Sequence, residues 1–231
     1  MDRPEKVHIL AISASPVADG HTENILSLFA ERAFALDAEV EIIRLYEHPP
    51  ARVSGKLEGW EPDAFWGPKL RECDGLVVAT PVYWFGPPGI LKDWIDNLTP
   101  LTYKFELDGK VAGFIVYGPE GGASSLTQYL SLVANNIGLL IPPYGLIWQE
   151  GPQKTGINAW VSHAAPALAQ NMISLIVALM EMTTNEETSS GFMRERIKRF
   201  RAKGRKIPIL PVEPEETTDL LPEPSPPEPA P

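Results

Sequence analysis

Cysteine is almost absent from this chain. Cys73 is the only one among 231 residues, so no disulfide can close within the chain and no thiolate cluster can hold an iron–sulfur or zinc centre. That scarcity favours a reducing compartment, and a cytoplasmic setting is the expectation. Positive charge is also in short supply. Lys and Arg number 20 against 30 Asp and Glu, a formal net charge of −10, which argues against a general nucleic-acid binder. No uninterrupted apolar run reaches the ~18 residues of a membrane span, so none is expected. The apolar run near Met1 is too weak for a secretory signal. Two phosphate-binding fingerprints are missing as well: neither GxxxxGK[ST] nor GxGxxG occurs, so the chain has neither a Walker loop nor a dinucleotide turn of the usual form. No internal repeat and no metal-ligating cluster is read.

What is present begins with residues 7–26, VHILAISASPVADGHTENIL. Residues 7–12 are a short apolar run suited to a strand buried on both faces. Residues 13–21 form a turn-rich loop with hydroxyl side chains, and Thr22 opens a helical pattern that runs on through Phe29 and Ala33. A buried strand thus ends in a loop of donors, and the loop ends at a helix N-terminus. Free N–H groups and the positive end of the helix dipole make that a place for a phosphate. Ser13, Ser15 and Thr22 bring hydroxyls, while Pro16 and Gly20 shape the turn. Taken alone, the same serines read equally well as helix caps.

The chain is 44% hydrophobic, enough for one domain with a full core. Helix is expected over about 22–36, and a β-branched strand over 38–46. A long connection with a helix near 63–73 follows, Phe65, Trp66 and Leu70 facing inward. An apolar strand is read at 76–80, and a helix over 89–98 buries Ile90, Leu91, Trp94, Ile95 and Leu98. A fourth strand spans 111–117. The next helix, over about 124–137, carries Leu126, Tyr129, Leu130, Leu132, Val133 and Ile137, and Gly138 ends it. A proline-interrupted strand at 139–148 and a long apolar helix over 158–182, with Pro166 inside it, complete the pattern. Strands alternating with helices in this way predict a doubly wound, five-stranded parallel sheet with helices on both faces. Ligands of such sheets bind at the carboxyl ends of the strands. All the unusual loops, 13–21, 81–88 and 118–122, are expected there.

Residues 1–185 are expected to form this domain. Residues 186–209 are basic and helical in pattern. Residues 210–231, rich in Pro and Glu, have the composition of a disordered tail. The basic run reads most simply as a solvated helix face.

SASPVADGHT, ATPVYWFGPPGILKDWIDNL and YGPEGGASS, in that order and spacing, resemble the flavodoxin-like NAD(P)H-dependent FMN reductase and quinone reductase family. The resemblance covers residues 7–148, and its most specific part is Pro81-Val82-Tyr83-Trp84 followed by Gly89-Ile90-Leu91-Lys92 and Asp96. It implies FMN as cofactor and NADPH or NADH as co-substrate. Reducing equivalents would pass through the flavin to a quinone, a free flavin or another small electrophile. It implies that Ser13, Ser15, Pro16, Gly20, His21 and Thr22 hold the FMN phosphate. Pro81, Val82, Tyr83, Trp84 and Phe85 would line the ring, and Tyr117, Gly118, Gly121 and Gly122 would approach its other side. No side chain need act as a nucleophile; Tyr83 and Tyr117 are the candidate acceptor contacts. A homodimer or homotetramer is implied too. Two departures stand out. The cysteine cluster that some relatives carry is missing, and Val17 and Ala18 stand where many relatives have a basic residue.

Plainer readings attach to other residues. Lys92 and Asp96, one turn apart, suit a surface ion pair. Cys73 suits a small buried residue, and His163, in an apolar helix, suits a structural role. Two rival functions fit the same loops: a one-electron carrier of the flavodoxin kind, and a flavin-binding sensor or scaffold with no turnover. A carrier would hold a stable one-electron reduced state, a reductase would consume NAD(P)H, and a sensor would bind flavin and do neither.

Overall fold

The computed structural model describes residues 6–53, 60–152, 154 and 156–184. The basic segment and the Pro/Glu-rich tail lie outside the described residues. The elements run β1 (His8–Ser13), α1 (His21–Ala35), β2 (Glu39–Arg44), α2 (Trp66–Glu72), β3 (Gly75–Pro81), α3 (Gly89–Asp96), α4 (Thr99–Tyr103), β4 (Val111–Gly118), α5 (Ala123–Asn136), β5 (Leu146–Glu150) and α6 (Ala159–Thr184). The strands form one sheet in the order β2-β1-β3-β4-β5, every pair parallel. This is the doubly wound flavodoxin-like order, and its switch point lies where the chain, having left β1 for β2, crosses back to β3.

Each strand serves two cores, because side chains alternate across the sheet. Ile9, Ala11, Val77, Ala79, Val111 and Ile115 face α1 and α6, where Phe29, Leu168 and Met172 close the layer. Leu10, Ile12, Leu76, Val78, Phe114 and Val116 face the opposite side, against Trp66, Leu70, Leu91, Trp94, Leu126 and Leu130. Burial on both faces explains why β3 and β4 read as unbroken apolar runs; all their residues are buried. Gly113, in the middle of β4, makes room for α6: a Cβ there would lie 2.8 Å from Leu168 Cδ2.

The structure corrects the sequence reading in several places. Strand β5 starts at Leu146 rather than at residue 139. Pro142 and Pro143 lack the N–H that a ladder needs, and the chain turns there, with the Gly145 amide donating to Pro142 O. The helix expected over 89–98 stops at Asp96, and α4 restarts with Pro100 near its N-terminus, a position that proline tolerates. Leu132 is 71% exposed. The buried face of α5 is set by Leu126, Leu130 and Ala134 at four-residue spacing, and Leu132 lies on the opposite side of that helix. Phe65 is only partly buried, whereas Trp66 and Leu70 are fully packed.

Helix α6 is long and apolar enough to cross a membrane by length and composition alone. Here its Val161, Ala164, Leu168, Met172 and Ile176 are all fully buried in the core shared with α1 and the sheet. Cys73 is buried, with its Sγ 3.6 Å from Leu70 O. Lys92 and Asp96 form an exposed ion pair at 2.6 Å. His163 meets Tyr144 edge-on at 5.7 Å.

Candidate flavin site at the carboxyl edge of the sheet

Strands β1, β3 and β4 end side by side, so their following loops share one edge. The Ala14 amide donates to Ala79 O at 2.8 Å, extending the β1–β3 ladder past Ser13. The loop after β1 folds back onto itself. Ser15 Oγ donates to Val17 O and accepts the Val17 amide, both at 3.2 Å. Ser13 Oγ donates to Glu23 Oε1 at 3.1 Å. Both serine hydroxyls expected to face a phosphate thus have partners within the protein, and they hold the loop's shape.

The donors left over lie at the start of α1. The Asn24 amide is the first of the helix to find a backbone acceptor, Gly20 O at 2.9 Å. The Gly20 N-cap accepts no side-chain cap. Among the described residues, the amides of Gly20, His21, Thr22 and Glu23 and the Thr22 hydroxyl have no acceptor, which is the arrangement an anion satisfies. His21 adds a side-chain group: its ring stacks on Tyr117 at 4.7 Å, and its Nε2 is buried without a partner among the described residues. Helix α5 differs. Its Gly122 N-cap is followed by the Ala123 and Ser124 amides, which donate to Glu150 Oε1 at 2.9 and 3.3 Å, so a carboxylate of the protein already fills that terminus.

The loop after β3 is a two-residue hairpin. Tyr83 and Gly86 exchange both backbone bonds, at 2.9 and 3.0 Å. Trp84 and Phe85 between them take φ values of 50° and 61°, the pattern of a type I′ turn, which asparagine and glycine usually fill. The hairpin projects its rings outward. Trp84 is 98% exposed and Phe85 72%. Val82 is buried beneath them and Pro81 closes β3. Phe85 lies against the loop after β4. Gly122 has φ 84°, and a Cβ on it would stand 3.0 Å from the Phe85 ring and 3.1 Å from its Cα. Gly118 and Gly121 complete this loop, where the Gly121 amide reaches Gly118 O at 3.5 Å.

Of the candidate acceptor contacts, Tyr83 is part-exposed, whereas Tyr117 is buried and donates its hydroxyl to Gly151 O at 2.8 Å. Burial pushes the Tyr83 phenol up, with Tyr46 adding a smaller push, and burial alone raises Tyr117. Both hydroxyls therefore stay protonated at neutral pH.

Two residues that shape the loop after β1 escape the sequence reading. Arg44, at the end of β2, forks onto Glu23: Nε to Oε1 and Nη2 to Oε2, each at 2.7 Å. Glu23 Oε2 also accepts the Asp19 amide at 3.3 Å. The bonds from Arg44, ahead of those from Ser13 and Asp19 and against the opposing effect of burial, hold the Glu23 carboxyl below the usual carboxylate range. The signal was positional. Ser13 and Arg44 are partners in the β1–β2 register, which emerges only once strand order is known.

The donor set at the start of α1 suits an anion, and the glycine and aromatic loops stand beside it at the same edge of the sheet. Among the described residues no group of His, Cys, Asp and Glu could hold a metal ion.

Comparison with known proteins bears on the same stretch. Residues 7–153 match the model of the family described as NADPH-dependent FMN reductase. An FMN-dependent NADH:quinone oxidoreductase of Bordetella petrii is 31% identical over 124 residues, covering 48% of this chain and 57% of that protein. An 8-demethyl-8-aminoriboflavin-5′-phosphate synthase of Streptomyces davaonensis is 36% identical over 97 residues, covering 38% of this chain and 37% of that one. The alignments thus span little more than half of the first relative and well under half of the second. Among solved structures, RosB with its bound intermediate 8-demethyl-8-formylriboflavin-5′-phosphate superposes with a TM-score of 0.67 at 18% identity, covering 93% of this chain and 94% of that one. That likeness concerns the fold. Strand order, loop placement and sequence agree over one continuous stretch, and the chain belongs to the NADPH-dependent FMN reductase family.

Proposed function

We infer that the site binds FMN and uses it to carry reducing equivalents from NADPH or NADH to a quinone, a flavin or another small electrophile. The observation that carries this reading is the start of α1, where, among the described residues, the amides of residues 20–23 and the Thr22 hydroxyl have no partner and neither does the buried His21 Nε2. When bound, FMN would supply the redox chemistry that links a nicotinamide to an electron acceptor. The protein's part is binding, orientation and exclusion of water. The α1 terminus takes the phosphate, and the Trp84–Phe85 hairpin and the Gly121–Gly122 turn border the ring. Tyr117 holds His21 by stacking, and its own proton is committed to Gly151 O. Tyr83, part-exposed and protonated, is the hydroxyl free to meet an acceptor.

An assembly of two or four copies belongs to this reading, because Trp84 and Phe85 leave large apolar rings in solvent beside the site and a second copy would cover them. Light scattering with and without FMN measures it. A cytoplasmic setting accords with the lone, buried Cys73.

The test is an anaerobic absorbance titration of the FMN-loaded protein with NADPH and then NADH. Flavin bands that bleach in one two-electron step support the reductase. Bound flavin that ignores both nicotinamides removes it. A second reading draws on the 36% identity to the 8-demethyl-8-aminoriboflavin-5′-phosphate synthase: the flavin phosphate as substrate rather than cofactor. A mass spectrum of the flavin after turnover separates the two, since a cofactor leaves with its mass unchanged.

A further inference from the structure

We propose that Glu23 and Arg44 are positioning residues that make this protein selective for a phosphorylated flavin: Arg44 cancels the charge of Glu23 and, through it, fixes the loop that receives the phosphate. This rests on the reading of the loop after β1 as a phosphate site.

That loop contains no cation. Val17 and Ala18 follow Pro16, and the nearest charges in sequence, Asp19 and Glu23, are both negative. A carboxylate in the first turn of α1 is welcome to the helix dipole, but it stands where a phosphate dianion must also approach. Left alone, the Glu23 charge would oppose the ligand across a partly buried gap, where screening is weak. The fork from Arg44 offsets that charge, while its remaining nitrogen, Nη1, reaches the more exposed Glu47 at 3.2 Å. Both carboxylate oxygens take a guanidinium nitrogen at 2.7 Å, and the Glu23 side chain is only 11% exposed.

The same carboxylate sets the loop's shape. Oε1 accepts the Ser13 hydroxyl and Oε2 the Asp19 amide, so the beginning and the far side of the loop are tied to one group. That group is held by a planar fork anchored on β2, in register with Ser13. A lysine would keep the charge and lose the two-point geometry. Neither residue is assigned a contact with the phosphate; both act through the loop and its local field.

The experiment measures dissociation constants for FMN and for riboflavin, by flavin fluorescence quenching, on the full chain freed of flavin. The ratio of the two isolates the phosphate. The wild type is expected to prefer FMN by about tenfold or more, given charge-assisted bonds to the phosphate. Arg44→Gln should weaken FMN by about tenfold while changing riboflavin less than about threefold. Adding Glu23→Gln to that variant removes the stranded charge and should recover part of the FMN affinity, the remainder being lost with one of the two ties to Ser13 and Asp19. Arg44→Lys should fall between wild type and Arg44→Gln, and it carries the test if Arg44→Gln does not fold, as judged by a circular-dichroism melt. An unchanged FMN-to-riboflavin ratio in the Arg44 variants, or a double variant as weak as the single one, overturns the clamp alone. A wild type that does not distinguish FMN from riboflavin overturns the phosphate-site reading, and the clamp with it.

Discussion

Replacing the tip of the hairpin after β3 by Asn-Gly, as Trp84→Asn with Phe85→Gly, should make the flavin-free protein more stable and a poorer flavin binder. Both native residues sit at positive φ, 50° and 61°, a region that costs an L-residue with a bulky side chain about 1–2 kcal/mol. Little packing offsets that cost, because Trp84 is 98% exposed and Phe85 72%. Asparagine tolerates the left-handed region and glycine adopts it freely, although the glycine gives back about 0.5–1 kcal/mol of unfolded-chain entropy. The net gain is about 1–2 kcal/mol, which for a domain of this size raises Tm by about 2–8 °C. The assay is a thermal melt of flavin-free wild type and double variant, paired with FMN titration of each. The strain is worth keeping only if the rings serve a ligand or a second copy, and their place as a wall of the flavin ring requires FMN affinity to fall by about tenfold or more. A variant that melts at or below the wild-type temperature, or that binds FMN as tightly, refutes the reasoning.

Gly122→Ala should cost both stability and FMN affinity, because the residue has φ 84° and its new Cβ would press on Phe85 at 3.0 Å; about 1–3 kcal/mol in a urea melt is expected, and no loss would show that the two loops yield. Glu23→Gln should destabilise the protein at neutral pH by about 1–3 kcal/mol, as a charged hydrogen-bond network is broken. Since the folded carboxyl titrates below its ordinary value, that contribution is present above the unfolded carboxylate value of about 4.3 and is lost as pH falls through the folded one. Melts from neutral to acid pH should show wild type and variant converging. Tyr117→Phe removes the bond to Gly151 O and should cost about 1 kcal/mol. The folded Tyr117 phenol titrates above its ordinary value, so its pH-linked contribution is whole below about pH 10 and disappears as pH rises through the folded value. The variant should be less sensitive to alkali than the wild type.

The sheet was legible because its strands are buried on both faces, so β1, β3 and β4 announce themselves as apolar runs between turn residues. The carboxyl-edge loops were legible for the same reason: glycine, proline and hydroxyl residues cluster where those runs stop. The start of β5 was not, since residues 139–141 have strand composition and only the following Pro142 and Pro143 decide the backbone. Nor were the serines' protein partners. Ser13 and Ser15 have the chemistry of phosphate ligands, and whether a hydroxyl turns to a ligand or to a neighbour depends on what stands beside it. Here that neighbour is Glu23 for Ser13, and Glu23 is placed by an arginine on another strand. Leu132 shows the opposite limit: an apolar residue within a helical pattern that faces solvent, because the two-residue step from Leu130 turns it away from the sheet.

Helix α6 also shapes how the chain must be made. It supplies much of the cover for the α1 side of the sheet, including Leu168 over Gly113 and Met172 and Ile176 over Gly75. Until those residues leave the ribosome, a nascent chain that already carries every strand holds an open apolar face. At about 5–20 residues per second that interval lasts seconds, long beside hydrophobic collapse. The order of elements therefore leaves the described sheet uncovered on one face until α6 arrives.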